Sequence, residues 1–167
     1  TSFYITFINA LEDILSREDD ISTINILLLG RYNHDIKPVE ASGEFSLRYE
    51  DEGKYKMIYS EYPNMNIEFV TVHSAKGLEA DYVVLLNCNA GKYGFPSEIS
   101  DDPILHLLLP ESDQFPNSEE RRAFYVAMTR TRKHLYFIAN ANMQSKFLVE
   151  IEDREENEKP RCPWCET

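Results

Sequence analysis

Three short runs in this chain, INILLLG (24–30), NIEFVTVH (66–73) and DYVVLLNCN (81–89), carry apolar, largely β-branched or leucine residues on both faces of an extended backbone. A strand covered on one face alternates apolar and polar residues, whereas one covered on both faces reads as nearly continuous hydrophobicity. The first run, closed by Gly30, is therefore expected as a buried strand, and the other two as central strands of a mostly parallel sheet.

The segments between them decide how that sheet is covered. Apolar residues settle into a 3.6-residue period from Phe7 onward, which predicts an amphipathic helix to about Ser16. Ala123, Phe124, Ala127 and Met128 share one face of a second predicted helix, and Asn117 followed by Glu120 has the spacing of a capping box at its start. HLYFIAN reads as the next strand and NMQSKFLVEI as a final helix, while FSLRYE and KMIYSEY are strand candidates flanked by the turns SGE and DEGK. Strands alternating with helices imply an α/β layered domain. A length of 167 residues accommodates one such domain, expected over 1–150, with 151–167 as a charged linker.

No apolar run approaches the roughly 18 to 20 residues of a membrane span, and the N-terminus has no basic leader with a cleavage site, so a cytoplasmic location is expected. The formal net charge of -12 argues against nucleic acid at first sight, because an acidic surface repels phosphates. Its distribution is uneven. Residues 98–120 hold seven acids and no Lys or Arg, whereas 121–149 hold six Lys or Arg and no acid. Cys88 closes a hydrophobic run and is expected as an inert core thiol. CPWC, with Cys162 and Cys165, has the spacing of half a zinc site, and a closed structural site needs four ligands.

TVHSAKGLEADYVVLL resembles motif V, and EERRAFYVAMTRTRKHLYF motif VI, of the superfamily-1 DNA helicases of the UvrD/Rep type; with AGKYGFPSE between them, the likeness is nearest to the bacterial helicase IV branch. The resemblance extends over about positions 24 to 140. It implies the second RecA-like domain of a motor that hydrolyses ATP with Mg2+ and moves 3′ to 5′ along single-stranded DNA, its partner being the N-terminal RecA-like domain. A bacterial, nucleoid-associated setting follows from the same likeness. Arg130 takes the place of the arginine that reaches the γ-phosphate, and Glu79 that of the glutamate that approaches the ribose. Thr71 and His73 match positions that contact the DNA backbone, and Arg31 and Asn33 of LLGRYN resemble a further DNA-touching element. Ser74, Ala75 and Gly77 are small enough to let a phosphate approach the main chain.

The departures bound what the chain can do. It contains no GxxxxGK[ST] phosphate loop, no acid pair after a strand to hold magnesium, and no motif IV. An excised half of a motor is therefore expected, without ATPase activity of its own. About 40 residues separate ILLLG from motif V, too few for the large inserted domain of UvrD and Rep. In some helicase IV proteins a four-cysteine zinc finger follows the motor, which CPWC would open; no stoichiometric zinc is expected here. Two other readings stay open: a non-catalytic interaction module using the acidic stretch 98–120, and the helicase part of a nuclease-fused recombination enzyme.

Overall fold

A computed structural model describes residues 3–51, 53–98 and 117–157. Helix α1 (Phe3–Arg17) is followed by strand β1 (Asn25–Gly30), a 3-10 turn at Asn33–Ile36 and a short helix α2 (Lys37–Glu40). Strands β2 (Phe45–Tyr49), β3 (Tyr55–Tyr59), β4 (Asn66–Thr71) and β5 (Ala80–Leu85) come next. Helix α3 (Ser118–Met128), strand β6 (Thr131–Phe137) and helix α4 (Lys146–Asn157) complete the described elements.

The six strands form one sheet in the order β2-β3-β4-β1-β5-β6. β4, β1, β5 and β6 run parallel, and β2 and β3 add an antiparallel hairpin at one edge. The two-faced strands are the central ones. In β1, Ile26 and Leu28 point to one face and Leu27 and Leu29 to the other, all nearly inaccessible to water. Tyr82 and Val84 of β5 join the first face, and Val83 and Leu85 the second.

Each face is covered by helices whose apolar stripes match it. Phe7, Ala10, Leu11 and Ile14 of α1 close the first face. Ala123, Phe124 and Ala127 of α3 and Phe147 and Leu148 of α4 close the second, with Met128 packed beside them. Burying each large apolar side chain contributes about 1.5–3 kcal/mol, so the two clusters are what hold α1 and α3 against the sheet. Cys88 lies inside the second cluster, and burial pushes its thiol well above the ordinary range. That makes it inert, as its sequence context predicts.

Two local expectations are corrected. The capping box at 117–120 does not form: Asn117 is left-handed (φ 59°, ψ 33°) with no side-chain cap, and Glu120 turns away to a basic partner. The final helix, expected over NMQSKFLVEI, instead spans Lys146–Asn157, with Phe147, Leu148 and Ile151 as its apolar side. CPWC and most of the acidic stretch 98–120 lie outside the described residues.

Candidate functional site

The motif V segment leaves β4 at Thr71 and enters β5 at Ala80. Because β4 and β5 both run parallel to β1, residues 72–79 carry the chain from the carboxyl edge of the sheet to its amino edge. Val72 N–H donates to the Gly30 carbonyl (2.8 Å), Ala75 N–H to Val72, and Leu78 N–H to Ala75, which fold the crossing into tight turns. Val72 and Ala75 are buried in the second core cluster. Ala75 therefore anchors the crossing, whereas Ser74 and Gly77 stay exposed and Gly77 adopts φ 84°.

One consequence is that the residues singled out by the motifs divide between opposite edges. At the carboxyl edge lie Thr71, whose hydroxyl donates to the Ser74 hydroxyl (3.1 Å), exposed His73, and Arg31 and Asn33 just after β1. At the amino edge lie Glu79, ahead of β5, and Arg130, ahead of β6. The two are tied together through the main chain: Ala80 N–H donates to the Arg130 carbonyl (3.0 Å). A cleft of about 190 Å³ opens at this edge, lined by Asn25, Asn66, Glu68, Leu78 and Glu79 among others.

Arg130 is held by neutral oxygens. Its Nε donates to the Val126 carbonyl (3.0 Å), Nη1 to the Leu78 carbonyl (3.3 Å) and Nη2 to the Thr129 hydroxyl (3.1 Å). Among the described residues no carboxylate pairs with it. A guanidinium oriented by three carbonyl or hydroxyl acceptors keeps its full charge for an anion that arrives from outside. Three neighbouring cations, by contrast, have carboxylate partners. Arg132 pairs with Glu79 (3.0 Å), Lys133 with Glu18 (2.5 Å), and Arg121 bidentately with Glu150 of α4 (2.5 and 2.8 Å) rather than with Glu119 or Glu120. The Glu79 pairing is exposed on both sides, so it holds the carboxylate weakly and can be exchanged.

Arg31 is not free. Its Nε and Nη2 donate to Glu120 (2.6–3.1 Å), and Glu120 also accepts the Ser97 N–H (3.1 Å). Both side chains are more than four-fifths buried. Burial draws the guanidinium's pKa down, but the Glu120 hydrogen bonds and charge more than offset it and leave it raised. Glu120 lies in the first turn of α3 and Arg130 two residues past its last, so the helix, about 16 Å long, links the two edges. Glu120→Ala is expected to lower stability by roughly 1–3 kcal/mol, as it strands a largely buried cation, and a chemical denaturation series would measure it.

The sequence reading also passed over Asp35 and Asn87. Asp35, 4% exposed, accepts from Tyr32 N–H (2.8 Å) and Asn87 Nδ2 (3.0 Å), and burial raises its pKa against those bonds. No periodicity marks such a pair, since the two residues lie in different loops.

The profile of the UvrD-like helicase C-terminal domain matches residues 44–142. DNA helicase IV of Escherichia coli K12 is 34% identical over 126 residues, which is 75% of this chain and 16% of that protein. A probable DNA helicase II homolog of Mycoplasma capricolum is 35% identical over 127 residues, 74% of this chain and 16% of that protein. The ATP-dependent DNA helicase Rep of Buchnera aphidicola is 35% identical over 82 residues, 49% of this chain and 10% of that protein. The chain thus spans about a sixth of the length of the first two relatives.

Proposed function

Because the chain belongs to the family of UvrD-like helicase C-terminal domains, we propose that it is the second RecA-like half of an ATP-dependent DNA helicase of the helicase IV type, working in a bacterial cytoplasm on nucleoid DNA. In that role its amino edge completes a nucleotide site built mainly by a first RecA-like domain. Its carboxyl edge contacts single-stranded DNA, along which the intact motor moves 3′ to 5′. The observation that carries this reading is Arg130, a guanidinium fixed by three neutral acceptors and left uncompensated.

The chemistry follows from that charge. A phosphoryl group in transfer spreads negative charge over its oxygens, and a planar cation already aimed at them stabilises the transition state without reorganising. Glu79 would exchange Arg132 for ribose hydroxyls, which can donate to a carboxylate. Among the described residues no group of three or more His, Cys, Asp or Glu side chains could hold a metal ion, so this half is assigned no step through magnesium. A zinc finger begun by Cys162 and Cys165 would lie beyond the described residues.

On the DNA side, Thr71 and His73 are the available contacts, joined by Asn33, which is exposed in the 3-10 turn. Arg31 would offer a phosphate its whole fork on releasing Glu120 in the first turn of α3, since Nε and Nη2 are engaged there. The reading is tested with the 167-residue chain and a labelled oligothymidylate. Weak binding that falls steeply between about 50 and 200 mM salt, as phosphate contacts that displace counterions do, and that is lost in Thr71→Ala/His73→Ala, is the expected result. Binding indifferent to salt and to that double substitution would remove the DNA edge from the account.

A further inference from the structure

The order β4-β1-β5 contains a reversal: the connection leaving β1 leads towards β4, and the one leaving β5 leads towards β6. In open α/β sheets the crevice outside the carboxyl ends of two such strands is where ligands settle, because the loops part there. What fills this crevice is aromatic. Tyr32 and His34, following β1, stack with ring centroids 5.2 Å apart and planes within 9°. Tyr93, from the loop after β5, stands edge-on to both, at 5.9 Å from Tyr32 and 5.5 Å from His34.

These rings are not spent on a core. Tyr93 is 50% exposed, and the His34 side chain 47%. They are nonetheless held firmly. Asn87, at φ 55°, donates from Nδ2 to the Tyr93 carbonyl (2.9 Å) as well as to Asp35. Phe95 N–H donates to the Asn89 carbonyl (2.9 Å), the Phe95 ring is fully buried, and the Tyr32 and Ser97 hydroxyls share a hydrogen bond (2.7 Å). The loop closes so tightly that a Cβ on Gly94 would come within 2.0 Å of the Asn89 carbonyl oxygen. An exposed ring fixed in advance loses little conformational entropy when something flat is laid on it.

Cations stand at the rim. Lys92 Nζ lies 5.5 Å from the Tyr93 ring centre, and the Arg31 guanidinium 5.0 Å from that of Tyr32. Of the nearby acids among the described residues, Asp35 is buried, Glu120 is engaged by Arg31, and Glu98 is exposed. Flat π-faces with positive charge beside them suit a chain of stacked bases on a phosphate backbone.

We propose that Tyr32, His34 and Tyr93 form a stacking platform for the bases of single-stranded DNA, in addition to the backbone contacts at Thr71 and His73. The inference rests on the DNA reading of the carboxyl edge, and its test separates the two. Affinity of the 167-residue chain is measured by fluorescence anisotropy for an oligothymidylate and for an abasic strand of equal length, at one salt concentration. The expected result is about tenfold tighter binding of the strand with bases. Tyr93→Ala and His34→Ala should abolish that preference, and Tyr93→Phe should retain it. The abasic strand should bind all three variants as it binds the unsubstituted chain. Equal affinity for the two strands, still dependent on Thr71 and His73, would overturn the platform and leave the backbone contacts standing. Binding to neither strand would overturn both, and would hand the aromatic crevice to a protein partner.

Discussion

Phe124→Ala is expected to lower the unfolding free energy by about 3–5 kcal/mol, the cost of deleting a buried aromatic ring and leaving a cavity. Phe124 is 4% exposed and its ring meets three others: Phe95 edge-on at 5.2 Å, Phe137 stacked at 5.7 Å and Phe147 at 5.2 Å. These come from the loop after β5, from β6 and from α4, so one side chain joins every element on that face near α3. Their close packing leaves little room for the site to collapse around the missing ring. Equilibrium denaturation followed by circular dichroism measures the effect, with Tyr125→Ala as the control. Tyr125 lies next to Phe124 on α3 but is 64% exposed, and its loss should change stability by no more than about 0.5 kcal/mol.

Arg130→Ala acts on the other property of the same helix. In a protein that contains both motor halves it is expected to reduce ATP turnover by about 10³-fold or more, the order seen when an arginine finger is removed. Folding should hardly change, because Arg130 gives up three hydrogen bonds whose acceptors are main-chain carbonyls or a hydroxyl near solvent. Arg130→Lys should recover little of the loss: an ammonium keeps the charge but lacks the planar fork that reaches a phosphoryl group while remaining bound to Val126 and Leu78. Steady-state turnover of the three proteins, with thermal melts alongside, checks both statements.

How much of this was legible in the sequence depended on whether the signal was local. Ile26, Leu27, Leu28 and Leu29 are consecutive and apolar because β1 is covered on both sides, and that is readable without coordinates. The spacing of Ala123, Phe124 and Ala127 gives the buried face of α3 in the same way. The antiparallel pairing of β2 with β3 at the sheet's edge was less clear, since the two runs alternate weakly and take their place from Phe45, Met57 and Tyr59 packing under α1 and α2.

Glu120 was misread for an instructive reason. Three residues after Asn117, it has the position of a capping glutamate, but its carboxylate serves a partner 89 residues away in sequence. Nothing in linear spacing distinguishes a carboxylate that caps its own helix from one that meets a distant arginine. The surplus of positive charge over 121–149 dissolves for the same reason: Glu150, Glu79 and Glu18 are brought to Arg121, Arg132 and Lys133 by the fold. Among the described residues of that stretch Arg130 and Lys146 have no carboxylate partner, and of the two Arg130 is the one fixed in place by three hydrogen bonds. Motif V is one continuous run in sequence, yet Thr71 and Glu79 end on opposite edges because the segment between them crosses the sheet, in keeping with the two different contacts expected of them.

The separation of the two edges is the centre of the account, and ATP turnover of the intact protein as a function of single-stranded DNA concentration tests it most directly. For Arg130→Ala the plateau should collapse while the DNA concentration at half-maximum stays near that of the unsubstituted protein. For Thr71→Ala/His73→Ala the half-maximum should move to higher DNA concentration and the plateau should be largely kept. An Arg130→Ala protein with an undiminished plateau and a shifted half-maximum would contradict the assignment of the amino edge to nucleotide and the carboxyl edge to DNA.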